Sequence, residues 1–168
     1  MKKTHFIVSI VALALLLVSA LAFAGDQATT NLTINATVNA RAKLTLSTNT
    51  INFPDADPDS TPSISAAENG VSVTVKVRTG SSSSATLTHQ AAGNLASSSN
   101  SIPIGNITWT TAGSGFSTGV MSSSAAQTVG SWTGSGTQSG TLNFALANSW
   151  AYATGTYTAS STFTLTAP

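Results

Sequence analysis

The sequence predicts an all-β fold, a single immunoglobulin-like β-sandwich of about seven to nine strands. Three observations carry this. Between Leu32 and Leu46 every even-numbered residue is apolar and every odd-numbered one is polar or charged. Strands place alternate side chains on opposite faces, so this period of two marks a strand with one buried face. Further short alternating runs follow, separated by Gly, Ser, Asn and Pro turns, and no helical period survives beyond the N-terminal apolar stretch. Thr and Val are abundant in those runs, as suits a pleated, half-buried surface.

The first residues stand apart from the fold. Met1-Lys2-Lys3 is a basic start, Phe6 to Leu21 is apolar, and Ala22-Phe23-Ala24 is a small-x-small site followed by Gly25. That order is a secretory signal peptide over residues 1–24, with cleavage expected after Ala24. Export to the periplasm, cell surface or medium is the expected location, with no membrane insertion after cleavage. The sandwich domain is then residues 25–168. Its bases are Arg41, Lys43, Lys76 and Arg78, and its acids are Asp26, Asp55, Asp57, Asp59 and Glu68, so four minus five gives a net charge of −1. Such a chain has little with which to neutralise phosphates, which argues against nucleic acid as a partner. It has no cysteine, so stability must come from strand pairing and core burial without disulfides.

The first strand region, residues 29–46, is unusually long. Leu32, Ile34, Ala36, Val38, Ala40, Ala42, Leu44 and Leu46 form its apolar face. It either breaks into two strands of one sandwich or extends beyond its own domain. Ile51 and Phe53 alternate next, and residues 54–62 form a loop with three prolines. Ile64 starts a short strand, and Asn69-Gly70 is a hairpin signal. Val71, Val73, Val75 and Val77 make the second clear strand, and Ala85, Leu87 and His89 the third. Residues 90–101 are polar and small, with Leu95 the only large apolar residue. Ile102, Ile104, Ile107 and Trp109 mark a strand region broken near Gly105. Residues 111–126 are rich in Gly and Ser, with Phe116, Val120 and Met121 as expected anchors. Strands are expected around Val129 and Trp132, over Thr141 to Ala147, and from Tyr157 to the end.

Candidate chemistry is sparse. His89 is the one histidine after the leader, and a lone strand histidine is usually structural. Asp55, Asp57 and Asp59 form an alternating acidic run that could present oxygen to Ca²⁺, but Ser60 and Ala66 stand where an EF-hand needs Gly and Glu; a solvated loop is the expectation. Trp109, Trp132, Trp150, Tyr152 and Tyr157 fit a sugar-stacking platform or, more simply, core and corner packing. Three Asn-x-Thr sites begin at Asn31, Asn35 and Asn106; the leader looks bacterial, so they are expected to be unused. With no paired acid and base, phosphate loop or metal constellation in the sequence, an enzyme is not expected, nor any cofactor.

An alternating strand directly after a signal peptide, followed by a cysteine-free sandwich ending in a strand, resembles a chaperone–usher pilin subunit. Gly155 is the fourteenth residue counted from the end, where many pilins carry glycine, and Ala167 replaces the family's penultimate tyrosine. The resemblance implies that an N-terminal donor segment, here within residues 29–46, enters a neighbour's incomplete sandwich. Leu32, Ile34, Ala36 and Val38 would be the groove-filling residues. It implies self-association into a polymer and a periplasmic chaperone. A shorter stretch, Gly155 to Ala159 with Thr162 to Pro168, is similar to the end of WxL-type cell-wall-binding domains, with Phe163 at the place of a tryptophan. The expected function is a structural filament subunit joined by strand addition. The alternative is a secreted monomeric glycan- or cell-wall-binding sandwich, in which the long strand completes its own sheet.

Overall fold

The computed structural model describes residues 26–168, so the expected signal peptide lies outside the described residues. The chain divides into two units, residues 1–37 and 38–168. In the first, residues 26–37 are exposed and belong to no strand or helix.

The second unit is an all-β sandwich, as the alternation predicts, with eleven strands. These are β1 (Arg41–Leu46), β2 (Ser63–Ser65), β3 (Val71–Arg78), β4 (Ser84–Ala91), β5 (Leu95–Ser97), β6 (Asn100–Ile102), β7 (Ile107–Ala112), β8 (Gly119–Val120), β9 (Gln127–Thr133), β10 (Gly136–Ala147) and β11 (Ser161–Thr166). The count exceeds seven to nine because four of them are two or three residues long. One sheet has the order β1-β3-β10-β7-β8, with β2 also paired to β10. The other is β11-β4-β9, and β5 and β6 form a separate ribbon. Every named strand pair is antiparallel. A single 3-10 turn, Ile104–Asn106, breaks the run around Gly105.

The core fills the space between the sheets. Val71, Val73, Val75 and Val77 of β3 and Leu142, Phe144 and Leu146 of β10 meet Ala85, Leu87 and Val129 of the second sheet. In both β3 and β4 the alternate residues are buried, which is the pattern a sheet with one wet face requires.

Three local expectations are corrected. The alternating run over residues 29–46 becomes a ladder only from Arg41, and Leu32 to Ala40 lie outside any strand. Asn69-Gly70 does not make a hairpin. β2 and β3 both run along the same edge of β10, and the positive φ values of Asn69 (50°) and Gly70 (104°) let the chain jog between them. A Cβ on Gly70 would meet Thr141 and Asn143 of β10, so this close approach suits glycine. Val120 is no anchor, being 48 % exposed, whereas Met121 is buried.

Candidate functional site

The two long sides of the sandwich differ. Along one, the chain between β7 and β9 laces the sheets together. Phe116 bridges Gly130; Ser117 N–H donates to Val129 O at 2.8 Å, and Ser131 N–H to Gly115 O at 3.0 Å. Trp109 Nε1–H donates to Ser117 O and Trp132 Nε1–H to Ser114 O, both at 2.9 Å. The Gly- and Ser-rich composition of this stretch lets its backbone approach two indoles closely, so residues that read as a loose loop form a seam.

Along the other side lie two edge strands that do not pair with each other. β1 is hydrogen-bonded to β3 and β11 to β4. Their inward residues, Leu44 and Leu46 of β1 and Phe163 and Leu165 of β11, are half-buried, whereas the interior Val73, Val75 and Leu87 are fully covered. Between the edges runs a groove of about 400 Å³. Leu44, Leu46 and Ile51, with Thr48, Asn49 and Thr50, form one wall, Ser161, Thr162 and Phe163 the other, and Val71, His89, Met121 and Phe144 lie beneath.

Each wall is fixed from behind. The segment after β1 is held along the start of β3: Ser47 N–H donates to Ser72 O at 2.9 Å, and Ser72 N–H returns to Ser47 Oγ at 2.9 Å. Farther on, Asn52 N–H and Nδ2–H both donate to the Glu68 carboxylate, at 2.9 and 2.7 Å. These bonds hold the Glu68 carboxyl below its ordinary range. At the far end of β11, Thr79 Oγ1 donates to Pro168 O. The ribbon ties the approach to β11, through paired bonds between Ala96 and Thr158 at 2.9 and 3.0 Å.

His89 is the one ionisable group of the groove. It is 3 % exposed and sits opposite Phe163 in the β4–β11 register. Its ring stacks on Phe163 and meets Trp109 and Phe144 edge-on. Its Nε2 is 2.8 Å from Ser161 Oγ. Burial lowers its pKa to about 4, because the charged ring would lose its hydration. A histidine–serine pair becomes a nucleophilic device only with a group that orients the base and donors for the developing oxyanion. The rings around His89 offer neither. The imidazole instead acts as a flat filler with one satisfied nitrogen.

The expected groove-filling residues stand in the open. Leu32 and Ile34 are each 83 % exposed and Val38 is 68 % exposed; Ala36 is exposed as well. Trp109 and Trp132 are buried and Trp150 is exposed, so the three indoles make no common platform. Asp57 folds its own loop, its Oδ1 accepting Asp59 N–H at 2.9 Å. Among the described residues no group of three His, Asp or Glu side chains converges as a metal site. Asn106 Nδ2–H donates to Tyr152 Oη at 2.7 Å, which gives that amide a packing role. No helix among the described residues is long and apolar enough to cross a membrane.

Searches of protein-family models, curated proteins and solved structures find no match to this chain.

Proposed function

We propose that this chain is an exported structural protein, a surface-filament subunit that joins its neighbours by β-strand addition. The observation that carries the reading is the groove between the open edges of β1 and β11. Half-buried Leu44, Leu46, Ile51 and Phe163 face it among polar rim residues such as Ser161 and Thr162, while the opposite side of the same sandwich is laced shut. A strand laid there would find unpaired backbone along two edges and covered hydrophobic space between them. Backbone bonding supplies the affinity of such augmentation, and alternate side chains set its register. The exposed Leu32, Ile34, Ala36 and Val38 have the required spacing of two. Their donor role in a second copy, the likeness to chaperone–usher pilins, and a chaperone that shields the groove before assembly all belong to this proposal. A free apolar edge in an isolated subunit invites aggregation, which is the physical reason for such a chaperone.

The test compares the chain from Gly25 with a truncation beginning at Asn39, which keeps β1 intact. Size-exclusion chromatography and negative-stain microscopy read assembly, and thermal melting reads folding. The longer form is expected to polymerise or swap. The truncation should be a folded monomer that binds an added Thr29–Val38 peptide. Ile34→Asp or Val38→Asp should leave the sandwich folded and stop assembly. Unfolding of the truncation, or a stable monomer from the longer form, would sink the reading in favour of a strand that serves its own domain.

A further inference from the structure

The charges of the described chain are sorted by position. Its four bases stand on two neighbouring strands: Arg41 and Lys43 on β1, Lys76 and Arg78 on β3. The register sets Arg41 directly opposite Arg78, and Lys43 directly opposite Lys76. All four are exposed, and the β10 neighbour of Lys76 is Thr137. Like charges facing one another across a ladder weaken it, so this array works against the sheet that carries it. No strand holds an acid. Glu68 is engaged by Asn52, Asp55, Asp57 and Asp59 lie in the loop 54–62, and Asp26 stands in the N-terminal segment before β1.

That loop is at the opposite end of the sheet. Asn148, just after β10, donates Nδ2–H to Ala56 O and to Thr61 O at 3.0 Å each. β10 begins at Gly136, beside Val77, and ends at Ala147, beside Ser63. At about 3.4 Å per residue, its length puts the basic array and the acidic loop about 35 Å apart. The Debye length at physiological salt is about 8 Å, so the loop acids of one copy do not neutralise its own array. Trp150 stands beside the acids. It is 70 % exposed, and its Nε1–H is held by Asp59 Oδ1 at 3.0 Å. A fixed, exposed indole face is a surface on which a guanidinium or ammonium can rest.

We propose that the β1–β3 basic array of one copy docks on the Asp55–Asp59 loop and Trp150 of the next. This rests on the filament reading above and adds to it a second, electrostatic contact between subunits. Complementary charge at opposite ends of one sandwich names a second copy as the partner. It is also a head-to-tail contact, which repeats without closing.

The experiment follows self-association of the purified chain by sedimentation and electron microscopy. Salt is varied from about 0.01 M to about 1 M, which shortens the Debye length from about 30 Å to about 3 Å. One variant reverses the array (Arg41→Glu, Lys43→Glu, Lys76→Glu, Arg78→Glu). The other reverses the loop (Asp55→Lys, Asp59→Lys). Melting confirms that both are folded. Each alone should associate at least about tenfold more weakly, because like charges then face each other. A mixture of the two should recover association, since each array then meets a complementary loop, and high salt should abolish that recovery. Wild-type association of either folded variant, or a mixture that fails to recover, overturns the proposal. An array-reversed chain that loses association while the loop-reversed chain keeps it also overturns it, and assigns the array to some other anion. Salt-sensitive association that survives Ile34→Asp upholds the docking while strand addition fails. Assembly lost in Ile34→Asp but unchanged in both charge variants does the reverse.

Discussion

The imidazole of His89 lies flat on the ring of Phe163, with centroids 3.9 Å apart and planes 5° apart. The pair joins β4 to the groove-edge strand β11, and Ser161 on the same strand takes the imidazole nitrogen. A neutral ring fits this place, and a charged one does not. The folded pKa of about 4 lies below the ordinary 6.5, so the folded chain binds this proton less readily than the unfolded chain.

Stability from the neutral ring is therefore full above about pH 6.5 and is lost as pH falls towards 4. The full loss is on the order of 3 kcal/mol. The melting temperature should fall over that window, and His89→Phe should remove most of this slope while keeping the stack on Phe163. Glu68, held low by Asn52, also loses stabilising charge on acidification, but in both proteins. The difference between their two melting curves isolates His89. A slope unchanged in His89→Phe would show that the ring is not the titrating group.

A second prediction concerns the laced side. A Cβ on Gly130 would strike the Trp132 indole, and one on Gly119 would strike Trp109. Both tryptophans hold carbonyls of the lacing segment. Gly130→Ala or Gly119→Ala should therefore overpack the seam at a cost of about 1–3 kcal/mol. In a domain of this size that lowers Tm by about 3–10 °C. Gly130 and Trp132 line no part of the groove, so peptide binding by the surviving folded fraction of Gly130→Ala should be unchanged. A Tm unaffected by both changes would mean that the indoles can shift freely.

Strands with a large apolar residue at every second position were legible from the sequence, as Val71 to Val77 shows. Gly136 to Gly140 was not. That half of β10 carries small and polar residues, and its strand character comes from the ladder to β3. Asn69-Gly70 announced a turn but not its purpose, because the same dipeptide closes a hairpin or jogs a chain along one neighbour. β5 and β6 have three residues each, too few to show a period, and β5 is tied down by the bridge from Ala96 to Thr158. Leu44, Leu46 and Phe163 were each readable as inward-facing. The groove was not, because it is a gap between edges far apart in sequence. The alternation through Leu32 to Leu46 likewise gives a face but not the ladder that uses it. The charge array is hidden in the sequence for the same reason: Arg41 and Arg78 become neighbours only through the β1–β3 register.

The third prediction tests how firmly the acidic loop is held. Asn148 spends both its amide hydrogens and its backbone N–H on the loop, at Ala56 O, Thr61 O and Pro62 O. Asn148→Ala removes the two side-chain bonds and leaves partly buried carbonyls without donors. That should cost about 1–3 kcal/mol and should loosen residues 54–62 while the sheets remain paired. Hydrogen exchange should rise at Asp59 and Thr61, whose N–H groups bond within the loop, and not at β3. Trp150 takes its orientation from Asp59, so its fluorescence anisotropy should fall; Trp109 and Trp132, buried in the sandwich, supply the unchanged background. Exchange that rises equally in β3 would mean that Asn148 supports the whole sheet end rather than the loop, and the acidic surface would owe its shape to the strands behind it.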